Sequence, residues 1–161
     1  MIVKNNLFVI FFLLANLSYT QHKNFVVENG IIYWKNIYKD SAKISELRNK
    51  PLLEFITDST GFIKRTNFND KKLNDLKAEF KIESKQNKYR VSVYNIRFFD
   101  TPVSLYIGNI STQSDTEFTI EKSILKEDGS VRKYAGYNLT ATLNPYFVDL
   151  FTIQMTETDN W

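Results

Sequence analysis

The sequence predicts an α+β domain: a curved, mainly antiparallel sheet with one or two helices packed on one face. Three observations carry this reading. Leu76, Ala78, Phe80 and Ile82 alternate with Lys77, Glu79, Lys81 and Glu83, the period of two that marks a strand with one wet face and hence an antiparallel sheet covered on one side. Lys88 to Asp100 reads KYRVSVYNIRFFD, the longest β-favouring run in the chain and the natural central strand. Two segments, near residues 41–49 and 145–155, instead pair a helix-start residue with apolar groups at helical spacing.

Residues 1–20 have the layout of a cleaved secretory signal. Lys4 lies in a short polar start, an apolar run follows from Leu7 to Leu17, and Ser18-Tyr19-Thr20 offers small residues before a cut at Thr20-Gln21. The apolar run is well short of the roughly 20 residues that cross a bilayer, so no stable membrane insertion is expected. Cys is absent, which excludes a lipid-anchored terminus. The mature chain, 21–161, is then expected in the periplasm, at the cell surface or in the medium. An exported protein without disulfides fits a bacterial envelope.

Phe25-Val26-Val27 and Ile31 to Tyr38 flank Glu28-Asn29-Gly30, a hairpin whose Asn-Gly accepts positive φ. Asp40 or Ser41 caps a short helix through Arg48, with Ile44 and Leu47 on one side and Pro51 as its stop. Leu52–Thr57 and Phe62–Thr66 form a second hairpin around Ser59-Thr60-Gly61. The strand at 76–83 then turns into the central strand. There the apolar phase changes sides between Val93 and Tyr94, which requires a bulge or cover on both faces. Further strands are expected at Val103–Ile110, at Glu117–Lys126 and, after an Asp128-Gly129 turn, at Ser130–Ala135. Asn144-Pro145 has the form of a helix start, with Asn as cap and Pro in the first turn. Phe147, Leu150, Phe151 and Gln154 recur at helical spacing, although Phe147, Phe151, Ile153 and Met155 also share a period of two. Residues 144–155 are therefore read as helix, with a strand as the alternative. No linker, charge run or repeat divides 21–161, so one domain is the simplest account.

Composition narrows the chemistry. The 161 residues are 43% hydrophobic and 15% aromatic, enough for a core. With Cys absent and a single His, His22 beside the leader, thiol nucleophiles, Cys-based zinc sites and Ser-His-Asp triads are excluded or unsupported. No catalytic residue, metal ligand or cofactor is implied. Lys and Arg total 21 against 18 acidic residues, and one of the lysines lies in the leader. Such a balance argues for a small basic surplus, not a basic patch, and against nucleic acid as a partner.

Each local constellation has a structural reading beside the functional one. Asp58-Ser59-Thr60-Gly61 has neither the spacing nor the second copy of an aspartic-protease motif and reads as a turn. Glu127-Asp128-Gly129 lacks calcium-loop spacing and reads the same way. Lys77, Glu79, Lys81 and Glu83 form a solvated face with cross-strand ion pairs. Arg90, Arg97, Lys64 and Arg65 would have to gather on one face to bind an acidic glycan or single strand. Tyr33, Trp34 and Tyr38 are stacking surfaces for a sugar, or core. Asn109 and Asn138 head glycosylation triplets. Trp161 ends the chain, either on a partner or folded back.

FVVENGIIYWKNIY (25–38), the helix after Asp40 and NKYRVSVYNIRF (87–98) resemble a secreted Bacteroidetes domain of unknown function assigned a TATA-binding-protein-like fold. The resemblance covers roughly residues 24–110 and departs from Glu117 onward. It implies a Trp-bearing hairpin before a helix, a curved antiparallel sheet, and neither an activity nor catalytic residues. The function expected is that of an exported, non-enzymatic envelope protein that binds a protein partner or small ligand through the sheet face or a cleft beside a helix. A carbohydrate- or lipid-binding module using exposed Tyr and Trp is the alternative, and a carboxylate-based hydrolase stands further back.

Overall fold

The computed structural model describes residues 24–39, 41–66, 68, 75–99, 103–107, 110–114 and 116–153. The leader and its cleavage point, His22, Asp40, Asp100, Asn109, Gln154, Met155 and Trp161 lie outside these.

Asn29 and Gly30 hold φ at 52° and 76°, the left-handed pair of a two-residue hairpin turn. They fold β1 (Phe25–Glu28) onto β2 (Ile31–Lys39). A 3₁₀ helix follows at Ser41–Asn49. Its three-residue turn stacks Leu47 directly over Ile44, and Leu47 is fully buried. The second hairpin joins β3 (Leu53–Phe55) to β4 (Thr60–Thr66). Its loop is earlier than expected: Ile56 and Thr57 both donate to the Thr60 carbonyl, so Gly61 belongs to the strand. A Cβ at Gly61 would lie 2.1 Å from the Glu54 carbonyl oxygen and 2.7 Å from the Phe80 ring. Close approach, not a turn, is what demands glycine there.

β5 (Asp75–Lys85) and β6 (Lys88–Phe99) complete a sheet of order β1-β2-β6-β5-β4-β3, with β9 (Glu117–Thr119) beside the far end of β6. All of these pairings are antiparallel. The architecture is the expected α+β one. The phase change in β6 resolves as a bulge: Glu79 faces Tyr94 and Lys77 faces Arg97, so Ala78 spans two residues. Asn95 absorbs the distortion at φ 51°, a conformation Asn tolerates better than other residues with a side chain. Tyr89, Val91 and Val93 before the bulge, and Ile96 and Phe98 after it, all reach the same core.

Three expectations about the last third need correction. Val103–Ile110 is two strands, β7 (Val103–Ile107) and β8 (Ile110–Ser114), forming a separate hairpin. The strand expected at 117–126 stops at Thr119 and continues as α1 (Ile120–Ile124). Ile120 and Ile124 are buried while Lys122 between them is exposed; a strand would put all three on one face, whereas a helix turns Lys122 away from the other two. Ser130–Ala135 is no strand: Val131 makes a lone bridge to Leu125, and α2 (Lys133–Phe151) begins two residues later. Residues 144–151 are helical, as favoured, but the helix starts well before Asn144-Pro145, and Pro145 lies inside it. Proline deprives the carbonyl four residues back, at Ala141, of its donor. Ala141 is exposed, so water can take that place.

The carboxyl-terminal half of α2 seals the inner face of the sheet. Phe147 and Phe151 pack on Trp34 with centroids 5.3 and 6.3 Å apart, and Phe151 meets Phe80 edge-on at 5.3 Å. Each large side chain removed from water here contributes about 1.5–3 kcal/mol. Polar links fix the helix position. Trp34 Nε1 and Asn24 Nδ2 donate to Asn144 Oδ1 at 3.0 and 2.9 Å. The Tyr38 hydroxyl donates to the Val148 carbonyl (3.2 Å) and the Tyr89 hydroxyl to that of Phe151 (2.7 Å). The side chain that reads as a helix cap in the sequence is thus a bridge to the hairpin tryptophan.

Candidate functional site

With the inner face closed, the outer face is the broad surface left open among the described residues. Strand alternation decides what it displays. On β2, Ile32 and Trp34 point inward, which turns Ile31, Tyr33, Lys35, Ile37 and Lys39 outward. Pairing register then lays out rows across the sheet. Lys39 faces Lys88, which faces Lys85; Ile37 faces Arg90, which faces Glu83; Lys35 faces Ser92, which faces Lys81. Beyond these, Tyr94, Glu79, Phe62 and Glu54 form a fourth row, with the Tyr33 ring 5.8 Å from that of Tyr94. Ile37 is 66% exposed, Ile31 43% and Phe62 41%.

Most charges on this face are paired. Glu83 accepts from Arg90 at 2.7 Å and Lys81 at 3.4 Å. Glu117 accepts from Arg97 at 2.8 Å and Lys77 at 3.3 Å, Asp75 pairs with Arg65 at 3.0 Å, and Glu28 pairs with Lys35. The Arg90 hydrogen bond holds the Glu83 carboxyl below its usual range, and Arg97 does the same for Glu117. Burial pushes the Tyr94 hydroxyl up. The side chains of Lys39, Lys85 and Lys88 have no hydrogen bond or ion pair with any described residue. They stand side by side on adjacent strands about 4.8 Å apart.

This lysine row corrects the expectation of a surplus without a patch. Its signal in the sequence was half visible: Lys85 and Lys88 flank Gln86-Asn87, whose φ values of 48° and 58° make a tight turn that sets the two lysines opposite each other. Lys39 joins them only through the β2–β6 register. The four basic residues nominated from the sequence do not gather. Arg90 and Arg97 are about 20 Å apart along β6, and Arg65 is held by Asp75 with its guanidinium 4.2 Å from the Phe99 ring. Of the three aromatics, Trp34 is core and Tyr38 stacks on Tyr89 at 4.8 Å beneath the sheet. Tyr33 alone of the three faces outward, with the Lys35 ammonium 4.9 Å from its ring.

The remaining constellations are structural. Thr57 Oγ1 accepts from the backbone N–H groups of Ser59 and Thr60, while Asp58 pairs with Arg48 at 2.6 Å. Asp128 Oδ1 accepts from the Ser130 hydroxyl at 2.6 Å and from its N–H at 2.8 Å around Gly129, and that bonding lowers its pKa. No group of three His, Cys, Asp or Glu among the described residues is placed to hold a metal. No described helix is long and apolar enough to cross a membrane. An open cleft of about 320 Å³ lies beside the 3₁₀ helix, lined by Glu46, Leu47, Asn49, Lys50, Pro51 and Ile153. Its lining mixes Glu46 and Lys50 with Pro51 and a half-buried Ile153.

No family model matches the chain, and no curated protein matches it. Two solved structures are similar in shape. A TBP-like protein from Parabacteroides distasonis ATCC 8503 is 14% identical, with 78% of this chain and 94% of that one covered and a TM-score of 0.49. A DUF4468 family protein from Bacteroides ovatus ATCC 8483 is 12% identical, with 83% and 94% covered and a TM-score of 0.43. One is TBP-like and the other of a DUF family, the types that the sequence was read as resembling.

Proposed function

We propose that this chain is an exported, non-enzymatic envelope domain that binds a protein partner through the outer face of its sheet. The observation that carries the reading is the asymmetry of that sheet. Aromatic and aliphatic side chains fill one face under α2, while the other leaves Ile37, Ile31 and Phe62 substantially exposed around a half-buried tyrosine pair. Exposed apolar groups rimmed by ion pairs are the composition of a recognition surface. The chemistry of the carboxylates supports a binding role over a hydrolytic one. Glu83, Glu117 and Asp128 are all moved downward by their partners, the state of ion-pair and turn acceptors and not of a general acid.

Photocrosslinking in the native cell tests the reading. A photoreactive residue at Tyr33 or Phe62 should join the chain to one protein species, and the same residue at Ile153 should not. Crosslinks confined to Ile153, or none from the outer face, would refute it. Sequencing the amino terminus of the recovered protein tests export, with Gln21 as the expected first residue.

A further inference from the structure

Like charges directly opposite one another destabilise a sheet, and elsewhere on this face a carboxylate offsets them. Glu83 serves Arg90 and Lys81, Glu117 serves Arg97 and Lys77, and Glu28 serves Lys35. At the β5–β6 turn no described carboxylate does so for Lys39, Lys88 and Lys85. With Lys35, Lys81 and Arg90, the described residues at this end of the face are six cations against two carboxylates, Glu28 and Glu83. On the other half, Glu54, Asp75, Glu79 and Glu117 balance Lys64, Arg65, Lys77 and Arg97. Among the described residues of this face, the positive surplus therefore lies at one end.

The chemistry of that end selects its occupant. The row is lysine, a set of compact charges on flexible stems, which suits carboxylates that arrive without a fixed bidentate geometry. It spans three strands, about 10 Å, and is open, which fits an extended chain and not an enclosed ion. Ile37 stands two residues from Lys39, opposite Arg90, and is 66% exposed. A polysaccharide or a phosphate chain would leave that side chain uncovered; an apolar side chain of a polypeptide would bury it. An anionic bilayer laid on this face would meet Glu54, Asp75, Glu79 and Glu117 on its other half, and a second copy of the row would bring like charge against like. We infer that Lys39, Lys88, Lys85 and Ile37 dock an acidic polypeptide segment of a partner protein, with its carboxylates on the lysines and an apolar side chain on Ile37. This deepens the outer-face reading and rests on it.

The test titrates the full chain with a Glu-rich synthetic peptide carrying two leucines, followed by calorimetry at low and high salt. Binding should weaken with salt as the charges are screened. The triple variant Lys39→Gln/Lys85→Gln/Lys88→Gln should lose about ten-fold in affinity, the sum expected of three exposed charge pairs, and Ile37→Ser about three-fold. The triple variant removes only repulsion from the free fold, so its folding stays intact and can be checked by melting. Heparin and phosphatidylcholine vesicles with or without phosphatidylglycerol serve as comparators. No peptide binding, or binding unchanged in the triple variant, overturns the inference. So does row-dependent binding that is tighter to heparin or to anionic vesicles. If outer-face crosslinks persist while peptide binding fails, the lysine row alone is refuted; if those crosslinks are absent, the outer-face reading falls with it.

Discussion

Lys88→Glu separates what the lysine row does for the fold from what it does for a partner. Lys88 sits in register between Lys39 and Lys85, so the substitution turns two like-charged contacts into two opposite-charged ones. Exposed cross-strand pairs are worth roughly 0.2–1 kcal/mol each. Reversing the sign of two such contacts should stabilise the domain by about 1 kcal/mol at low salt, with strand propensity nearly unchanged because Lys and Glu are both mildly disfavoured. The Debye length of about 8 Å at 0.15 M salt exceeds the interstrand spacing of about 4.8 Å, and it shrinks to about 3 Å at 1 M. The gain should therefore survive physiological salt and fade toward 1 M. Urea unfolding in a Trp161→Phe background, followed by Trp34 fluorescence, reads it directly; in a thermal melt it amounts to about 2–4 °C. The same variant should bind the Glu-rich peptide more weakly. A destabilised Lys88→Glu, or a gain equal at low and high salt, would refute the reasoning that the row stands against electrostatic repulsion.

Asn144→Ala removes the acceptor shared by Trp34 Nε1 and Asn24 Nδ2. Leaving the buried indole N–H unsatisfied costs about 1–3 kcal/mol, and better helix propensity returns about 0.5 kcal/mol. A loss below about 0.5 kcal/mol in urea melts would contradict the bridge. Gly61→Ala drives a methyl group into the Glu54 carbonyl and the Phe80 ring and should cost about 2 kcal/mol or more, so wild-type stability in that variant would refute the close approach. Acid should lower the stability of the domain. The carboxyls of Glu83 and Glu117 are held low in the folded state, so their contribution is present above the unfolded value of about 4.3 and is lost as pH falls through the lower folded values. High salt should blunt that acid loss in pH-dependent melts. Alkali acts with the opposite sign. Burial raises the Tyr38 and Tyr146 hydroxyls, so stability is complete below their unfolded value of about 10 and declines above it. Tyr38→Phe should raise the alkaline unfolding midpoint, and an unchanged midpoint would contradict this.

The sheet was legible because its signals are local. Alternation from Leu76 to Ile82 needs no tertiary information, Asn29-Gly30 names its own turn, and the doubled apolar pair Val93-Tyr94 announces a bulge that Asn95 then supplies. The last third was less so because tertiary contacts overrode local pattern. Ile120 and Ile124 suit a helix only when there is a core to meet on one side. Pro145 reads as a helix start until a solvent-facing Ala141 makes an interior proline tolerable. The candidate face was legible in its residue types but not in its arrangement. Tyr33 and Trp34 are adjacent in sequence, yet pairing sends one to solvent and the other to the core. Lys39 lies far from Lys85 and Lys88 along the chain, and register alone brings them together.

Lysine reactivity in the native envelope tests the central claim most directly. Brief acetylation of the cell's own protein, compared with the purified chain, should find Lys39, Lys85 and Lys88 protected in the envelope while Lys122 and Lys126, away from the outer face, react equally in both. Equal reactivity of the three row lysines in both states, with protection falling on Lys122 or Lys126 instead, would contradict it.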